Sequence, residues 1–332
     1  MFSVQGKRVF RSITSAALLL GAFALSGCGL QPATSYVPEV KAGSIKKLDL
    51  PAGAALTVTS KNFTEQIVLG KIAVLATKAA GFDVTDLTNV PGSVPSRQLM
   101  LNKGADMAWE YTGTAWLTYL GNTKGIPDQQ QQWQAVHDAD LANGLTWLAP
   151  APLNNTYAFA KVSGNPRFSN VTKLSDLANV PVADRTFCVE SEFNSRVDGF
   201  NPMLAHYGLK RGAADGVPDS NIRILDTGAV YTGVANGSCN FGEVFTTDGR
   251  IPALNLQVLD DDKGFFPGYN AAPEFATKTL EKYPELKELF NSISAKLDNP
   301  TMQRLNAEVD VAGKEPVDVA FQWLLDQGFV KA

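Results

Sequence analysis

Histidine is nearly absent from this 332-residue chain: His137 and His206 are the only two, and neither stands in a ligand-spaced cluster. General acid–base and zinc chemistry lean on histidine, so an enzyme of either kind has few candidates for its central residue. His137 falls in a helical pattern and His206 sits beside Tyr207, positions that read as structural. The signature loops of nucleotide, hydrolase and metalloprotease chemistry are missing too: no Walker phosphate loop, no Gly-x-Gly-x-x-Gly after a strand, no Gly-x-Ser-x-Gly elbow, no His-Glu-x-x-His. A net charge of −4 gives no reason to expect nucleic acid. Asp260-Asp261-Asp262 lacks the alternating spacing of a calcium loop and reads as a solvated turn. No metal and no cofactor is called for, and a binding protein is favoured over an enzyme.

Long apolar runs are also missing. The longest, from about Ala16 to Leu25, is too short to cross a hydrocarbon core of about 30 Å. It follows Lys7, Arg8 and Arg11, which makes residues 1–27 a secretory signal peptide rather than a membrane anchor. Leu25-Ser26-Gly27-Cys28 resembles the bacterial lipobox, in which Cys28 carries lipid and opens the mature chain. Residues 28–54, with Pro32, Pro38 and Pro51 and little periodicity, read as a lipidated tether holding a soluble body at the bacterial cell membrane, outside the cytoplasm. Cysteine is scarce: with Cys28 lipidated, Cys188 and Cys239 remain, an even pair that an oxidising compartment joins as a disulfide.

About 300 residues remain, enough for two cores. Leu56 and Val58 alternate with Thr57 and Thr59 as in a strand, after which Asn62 and Glu65 have capping-box spacing and Val68, Ile72, Leu75 and Ala79 recur at helical spacing up to Gly81. Lys61 therefore stands between a strand end and a helix start, where open α/β sheets bind ligands and exposed N–H groups favour anions. A strand near 83–90, a helix near 96–103 and a strand at 105–109 then bring Ala108-Trp109-Glu110-Tyr111-Thr112-Gly113-Thr114 to the same edge. Pro150 and Pro152 interrupt the pattern as a hinge would, and a second α/β unit follows. Alternating strands and helices predict mainly parallel sheets.

Six segments, in order, then resemble one family: Ser60-Lys61-Asn62-Phe63-Thr64-Glu65-Gln66, Glu110-Tyr111-Thr112-Gly113-Thr114, Asn154-Asn155-Thr156-Tyr157, Glu192-Phe193 with Arg196, Thr246-Thr247-Asp248-Gly249-Arg250, and Asp261-Asp262-Lys263 running into Phe266-Pro267 and Tyr269. The family is the substrate-binding lipoproteins of glycine betaine, carnitine and choline ABC importers, and the likeness runs from about Leu56 to Phe329.

The resemblance implies a two-lobe, periplasmic-binding-protein-like (type II) α/β fold with two crossovers at a hinge. Lobe I would span 55–153 and 264–332, and lobe II 154–263. It implies an aromatic cage of Tyr111, Tyr157, Phe245 and Tyr269 around a quaternary ammonium, and a carboxylate clamp of Lys61, Thr114 and Arg196. A trimethylammonium group has no N–H to donate, so ring faces suit it, and a desolvated contact contributes about 2 kcal/mol. Two departures stand out: Phe245 where relatives have tyrosine, and Asn155 where some carry aspartate. Tyr231 and Trp109 read as packing, and Gly113 as the residue that lets the backbone turn between Tyr111 and Thr114.

The function implied is an extracytoplasmic solute-binding receptor for glycine betaine, carnitine or proline betaine. Its partners would be that ligand, a permease with its ATPase, and a membrane reached through the lipid; the receptor itself is expected to be a monomer. A choline-preferring receptor is the alternative. Further off are an enzyme using Glu110 as base and a sensor lipoprotein on the same fold.

Overall fold

The structure is a computed structural model and describes residues 37–331. The signal peptide and Cys28 lie outside the described residues. A short ribbon joins β1 (Lys41–Ala42) to β12 (Val330–Lys331). One five-stranded sheet contains β2 (Ala55–Lys61), β3 (Asp83–Val90), β4 (Met107–Tyr111), β5 (Leu145–Trp147) and β11 (Ala271–Ala276), in the order β3-β2-β4-β11-β5. The other contains β6 (Tyr157–Val162), β7 (Phe187–Glu190), β8 (Ile222–Leu225), β9 (Phe241–Phe245) and β10 (Leu256–Val258), in the order β10-β6-β9-β7-β8.

The sheets are mixed rather than mainly parallel. β2 pairs parallel with β3 and β4, and β7 with β8 and β9, whereas β11 and β6 run antiparallel to both of their neighbours. These are the first strands after each passage of the chain from one sheet to the other, so they enter from the opposite end. β11 was hidden from pattern reading because Pro273, which cannot donate to a ladder, stands mid-strand opposite Trp109.

The helix Thr64–Ala80 is buried on nearly every side because it lies between the first sheet and the helices Asn299–Asp310 and Pro316–Asp326. Gly81, at φ 106°, ends it: its N–H bonds the Lys78 carbonyl, and the Phe82 N–H bonds that of Thr77. At its start the expected capping box does not form: Phe63 is the N-cap and contributes no side-chain bond. The stretch read as tether packs on the body from Val37 onward, with Ile45 buried in the core and the Leu48 N–H bonded to the Ala80 carbonyl at 2.9 Å.

Phe187, Phe159, Phe200 and Phe241 fill one side of the second sheet, and Val230, Tyr231 and Val234 the other. There Cys188 and Cys239 form a disulfide with Cα atoms 5.7 Å apart. The two passages between sheets, 148–156 and 259–270, meet at an antiparallel bridge between Asn154 and Asn270. Asn154 Oδ1 accepts the Tyr269 N–H at 2.7 Å, and the Tyr269 carbonyl accepts the Asn155 N–H at 3.1 Å. This knot fixes Tyr269 at the crossing.

Candidate functional site

Strand ends of both sheets open onto one cavity of about 320 Å³, near the lower limit of small-molecule sites. Lys61 ends β2, Tyr111 ends β4, Tyr157 opens β6 and Phe245 ends β9; Tyr269 comes from the second passage. Tyr157 and Phe245 face each other in register across the β6–β9 ladder, ring centroids 5.3 Å apart. Tyr269 meets Tyr157 edge-on at 5.4 Å. All four rings expected in the cage line this cavity, as does Asn155.

Phe63 is a fifth ring that sequence reasoning did not assign. It lines the cavity and stacks on Phe245 at 5.1 Å and on Tyr111 at 6.1 Å. Its signal was its place inside the Lys61–Gln66 segment. Burial pushes the phenols of Tyr111, Tyr157 and Tyr269 well above their ordinary value, so they stay neutral. The Tyr111 hydroxyl donates to Glu65 at 2.8 Å and that of Tyr269 to Asp198 at 2.5 Å, both away from the rings' faces.

Gly113 acts differently from expectation. It lies within the helical turn Thr112–Thr114 and makes no special bend; a Cβ there would come within 2.6 Å of the Tyr269 ring. The close approach of that ring is what requires glycine. Trp109 is core, and Tyr231 lies outside the cavity, but its hydroxyl accepts the Phe245 N–H at 2.9 Å and so fixes the backbone behind that ring.

At the polar end, Lys61 and Thr114 line the cavity. Lys61 Nζ is 2.6 Å from Glu110 Oε1 and 5.1 Å from the Tyr111 ring centroid. Glu110 is therefore a buried ion-pair partner whose other oxygen accepts from Tyr119 at 2.7 Å. Arg196 lies behind Tyr157, 5.4 Å from its ring centroid, outside the lining of this cavity. Its fork closes on Asp198, with Nε to Oδ1 at 2.7 Å and Nη2 to Oδ2 at 2.6 Å, and Nη1 reaches Glu192 at 3.1 Å. Glu190, Ser191, Glu192 and Ser195 also line the cavity, none of them assigned to it from sequence.

Glu192 ties the two sheets' halves together. Its carboxylate accepts from the Ser93 hydroxyl at 2.5 Å and from the Ser93 N–H at 3.1 Å, at the start of the helix Ser93–Leu101, whose N-cap Gly92 offers no side chain. Burial opposes its ionisation, yet Lys61, Ser93 and Arg196 together hold its carboxyl below the usual range. Among the described residues no group of three or more His, Cys, Asp or Glu is placed to hold a metal ion.

Paired strand ends, a hinge knot and a ring-lined cavity between two sheets are a ligand receptor's geometry, and comparison with known proteins agrees. Residues 54–326 match the substrate-binding domain of ABC-type glycine betaine transport systems. The chain belongs to this family. It is 37% identical over 283 residues to the glycine-betaine-binding protein of Pseudomonas aeruginosa, covering 83% of this chain and 88% of that one. It is 30% identical over 321 residues to the carnitine transport binding protein OpuCC of Listeria monocytogenes, covering 96% of each. A solved glycine betaine/carnitine/choline ABC transporter structure superposes with a TM-score of 0.68 at 26% identity, over 82% of this chain and 99% of that one. Members of the glycine betaine family are substrate-binding proteins, and the fold is the two-lobed type II periplasmic-binding-protein fold.

Proposed function

We propose that this protein is the extracytoplasmic receptor of an ABC importer, binding a betaine such as glycine betaine, carnitine or proline betaine and passing it to a permease and its ATPase. The observation that carries this reading is the convergence of Tyr111, Tyr157, Phe245 and Tyr269, with Phe63, on one cavity between two sheets. Neutral ring faces suit a methylated ammonium that has no N–H. Lys61 and Thr114, which also line the cavity, are the partners we assign to the carboxylate end. Arg196 we assign to supporting Tyr157 and Tyr269, since Asp198 and Glu192 already occupy its donors.

Residues 55–153 with 264–332, and 154–263, form the two lobes that close on ligand in this reading, with a monomer as the working unit and Cys28 as the lipid attachment. A choline-binding reading has its own support: Glu190 and Glu192 line the cavity, and a carboxylate is an acceptor for a hydroxyl. Calorimetric titration with glycine betaine, carnitine, proline betaine and choline tests both. Binding of the carboxylated ligands ahead of choline is expected; no binding of any of them contradicts the proposal.

A further inference from the structure

The cage rings are neutral, Lys61 is already paired with Glu110, and the carboxylates that line the cavity have partners of their own, Glu192 in Ser93 and Arg196 and Glu190 in the N–H groups of Glu192 and Phe193, so the cation that this proposed function places among the rings needs a counter-charge. Glu65, in the first turn of the helix Thr64–Ala80, is buried at 2% exposure just behind the cage. Its Oε1 accepts from the Tyr111 hydroxyl at 2.8 Å and from Asn155 Nδ2 at 3.0 Å; its Oε2 accepts from the Thr247 hydroxyl at 2.5 Å and from Asn306 Nδ2 at 3.1 Å. Two of these four donors, Tyr111 and Asn155, line the ligand cavity.

Among the described residues no basic side chain forms an ion pair with Glu65. The charged groups on the elements around it are committed elsewhere: Lys61 to Glu110 at 2.6 Å, and Arg250 to Asp248 at 2.5 Å and Asp310 at 3.4 Å, with Asp310 also accepting from Thr64 at 2.7 Å. A buried carboxylate with four donors and no cation is a costly arrangement unless a cation arrives. Asn155 adds a second observation. With its Nδ2 spent on Glu65, its Oδ1 is buried without a hydrogen-bond partner, on a residue that lines the cavity.

We propose that Glu65 is the counter-charge to the ligand's quaternary ammonium, acting as a positioning residue through Tyr111 and Asn155. A phenol that donates to a carboxylate becomes more electron-rich in its ring, which strengthens its attraction for a cation. An amide anchored by its NH₂ presents the negative end of its dipole. The inference rests on the reading of the ligand as a methylated ammonium.

Burial pushes the Glu65 carboxyl up, opposed by the bonds from Thr247, Tyr111, Asn306 and Asn155. A bound cation favours the ionised form and brings that value down. The empty protein then holds more protons than the complex, so binding releases protons and tightens as pH rises above the ordinary carboxylate range.

The test is calorimetric titration of glycine betaine into the unaltered protein and Glu65→Gln from about pH 5 to about pH 8, in buffers of different ionisation enthalpy. The unaltered protein is expected to release protons, and the variant to bind about tenfold weaker or worse at the upper end, with the gap narrowing toward the lower end. Asp310 and the cavity-lining Glu190, both also pushed up by burial, are present in both proteins and cancel in the comparison. A loss that is the same at every pH, or no loss, overturns the inference. Should the variant not fold, Tyr111→Phe, which keeps the ring and removes its bond to Glu65, takes its place: weaker binding with less proton release supports the inference, and unchanged binding and release overturn it. Absence of binding by the unaltered protein instead contradicts the proposed function, and the inference with it.

Discussion

The Arg196 guanidinium and the Tyr269 hydroxyl meet on one oxygen, Asp198 Oδ2, at 2.6 Å and 2.5 Å. Since Arg196 also covers Tyr157, this carboxylate links two cage rings through one cation. Asp198→Ala leaves a buried guanidinium short of its partner and is expected to lower stability by about 3 kcal/mol and affinity by about tenfold. Thermal unfolding and ligand titration on the same sample check both. A fall in stability without loss of affinity would detach Asp198 from the cage.

Phe245 depends on a residue outside the cavity. Tyr231→Phe removes the hydroxyl that accepts the Phe245 N–H and is expected to weaken binding by about 1 kcal/mol. Tyr111→Ala removes a wall and should cost at least about tenfold. Titration of both variants ranks them, and the opposite ranking means the cage is misassigned.

Lys61 and Glu110 form a buried pair at 2.6 Å, so removing one alone strands the other. Lys61→Met is expected to destabilise by about 3 kcal/mol, and Lys61→Met with Glu110→Gln to recover most of it. Glycine betaine affinity should stay low in the double variant while choline affinity changes little. Recovery of betaine affinity together with stability would remove Lys61 from the carboxylate end.

Glu243, wholly buried in the second sheet, has its carboxyl pushed up to about 8 by burial, against the bond from the Glu190 N–H. In the unfolded chain it ionises near its ordinary value, so between there and about pH 8 the folded state holds the extra proton. Stability therefore falls as pH rises through this window. Glu243→Gln is expected to flatten that slope, raising the melting temperature at pH 8 more than at pH 5; an equal change at both is the contrary result.

How much of this was legible in the sequence depended on whether the signal was local. The strand before Lys61 and the helix closed by Gly81 showed as period and cap, because both are set by neighbours in the chain. β11 did not show, since Pro273 masks it and its partners β4 and β5 are distant in sequence. The cage rings came from the family resemblance, whereas the commitment of Arg196 to Asp198 is a matter of three-dimensional partners that no spacing reveals. Glu65 was misread for the same reason: its spacing from Asn62 fits a cap, but its real partners lie at Tyr111, Asn155, Thr247 and Asn306.

The most direct test of the central claim is a crystal structure of the protein with glycine betaine bound. The ligand nitrogen is expected within about 6 Å of the ring centroids of Tyr111, Tyr157, Phe245 and Tyr269, with the carboxylate at Lys61 and Thr114. A ligand seated outside these rings, or turned with its carboxylate among them, contradicts it.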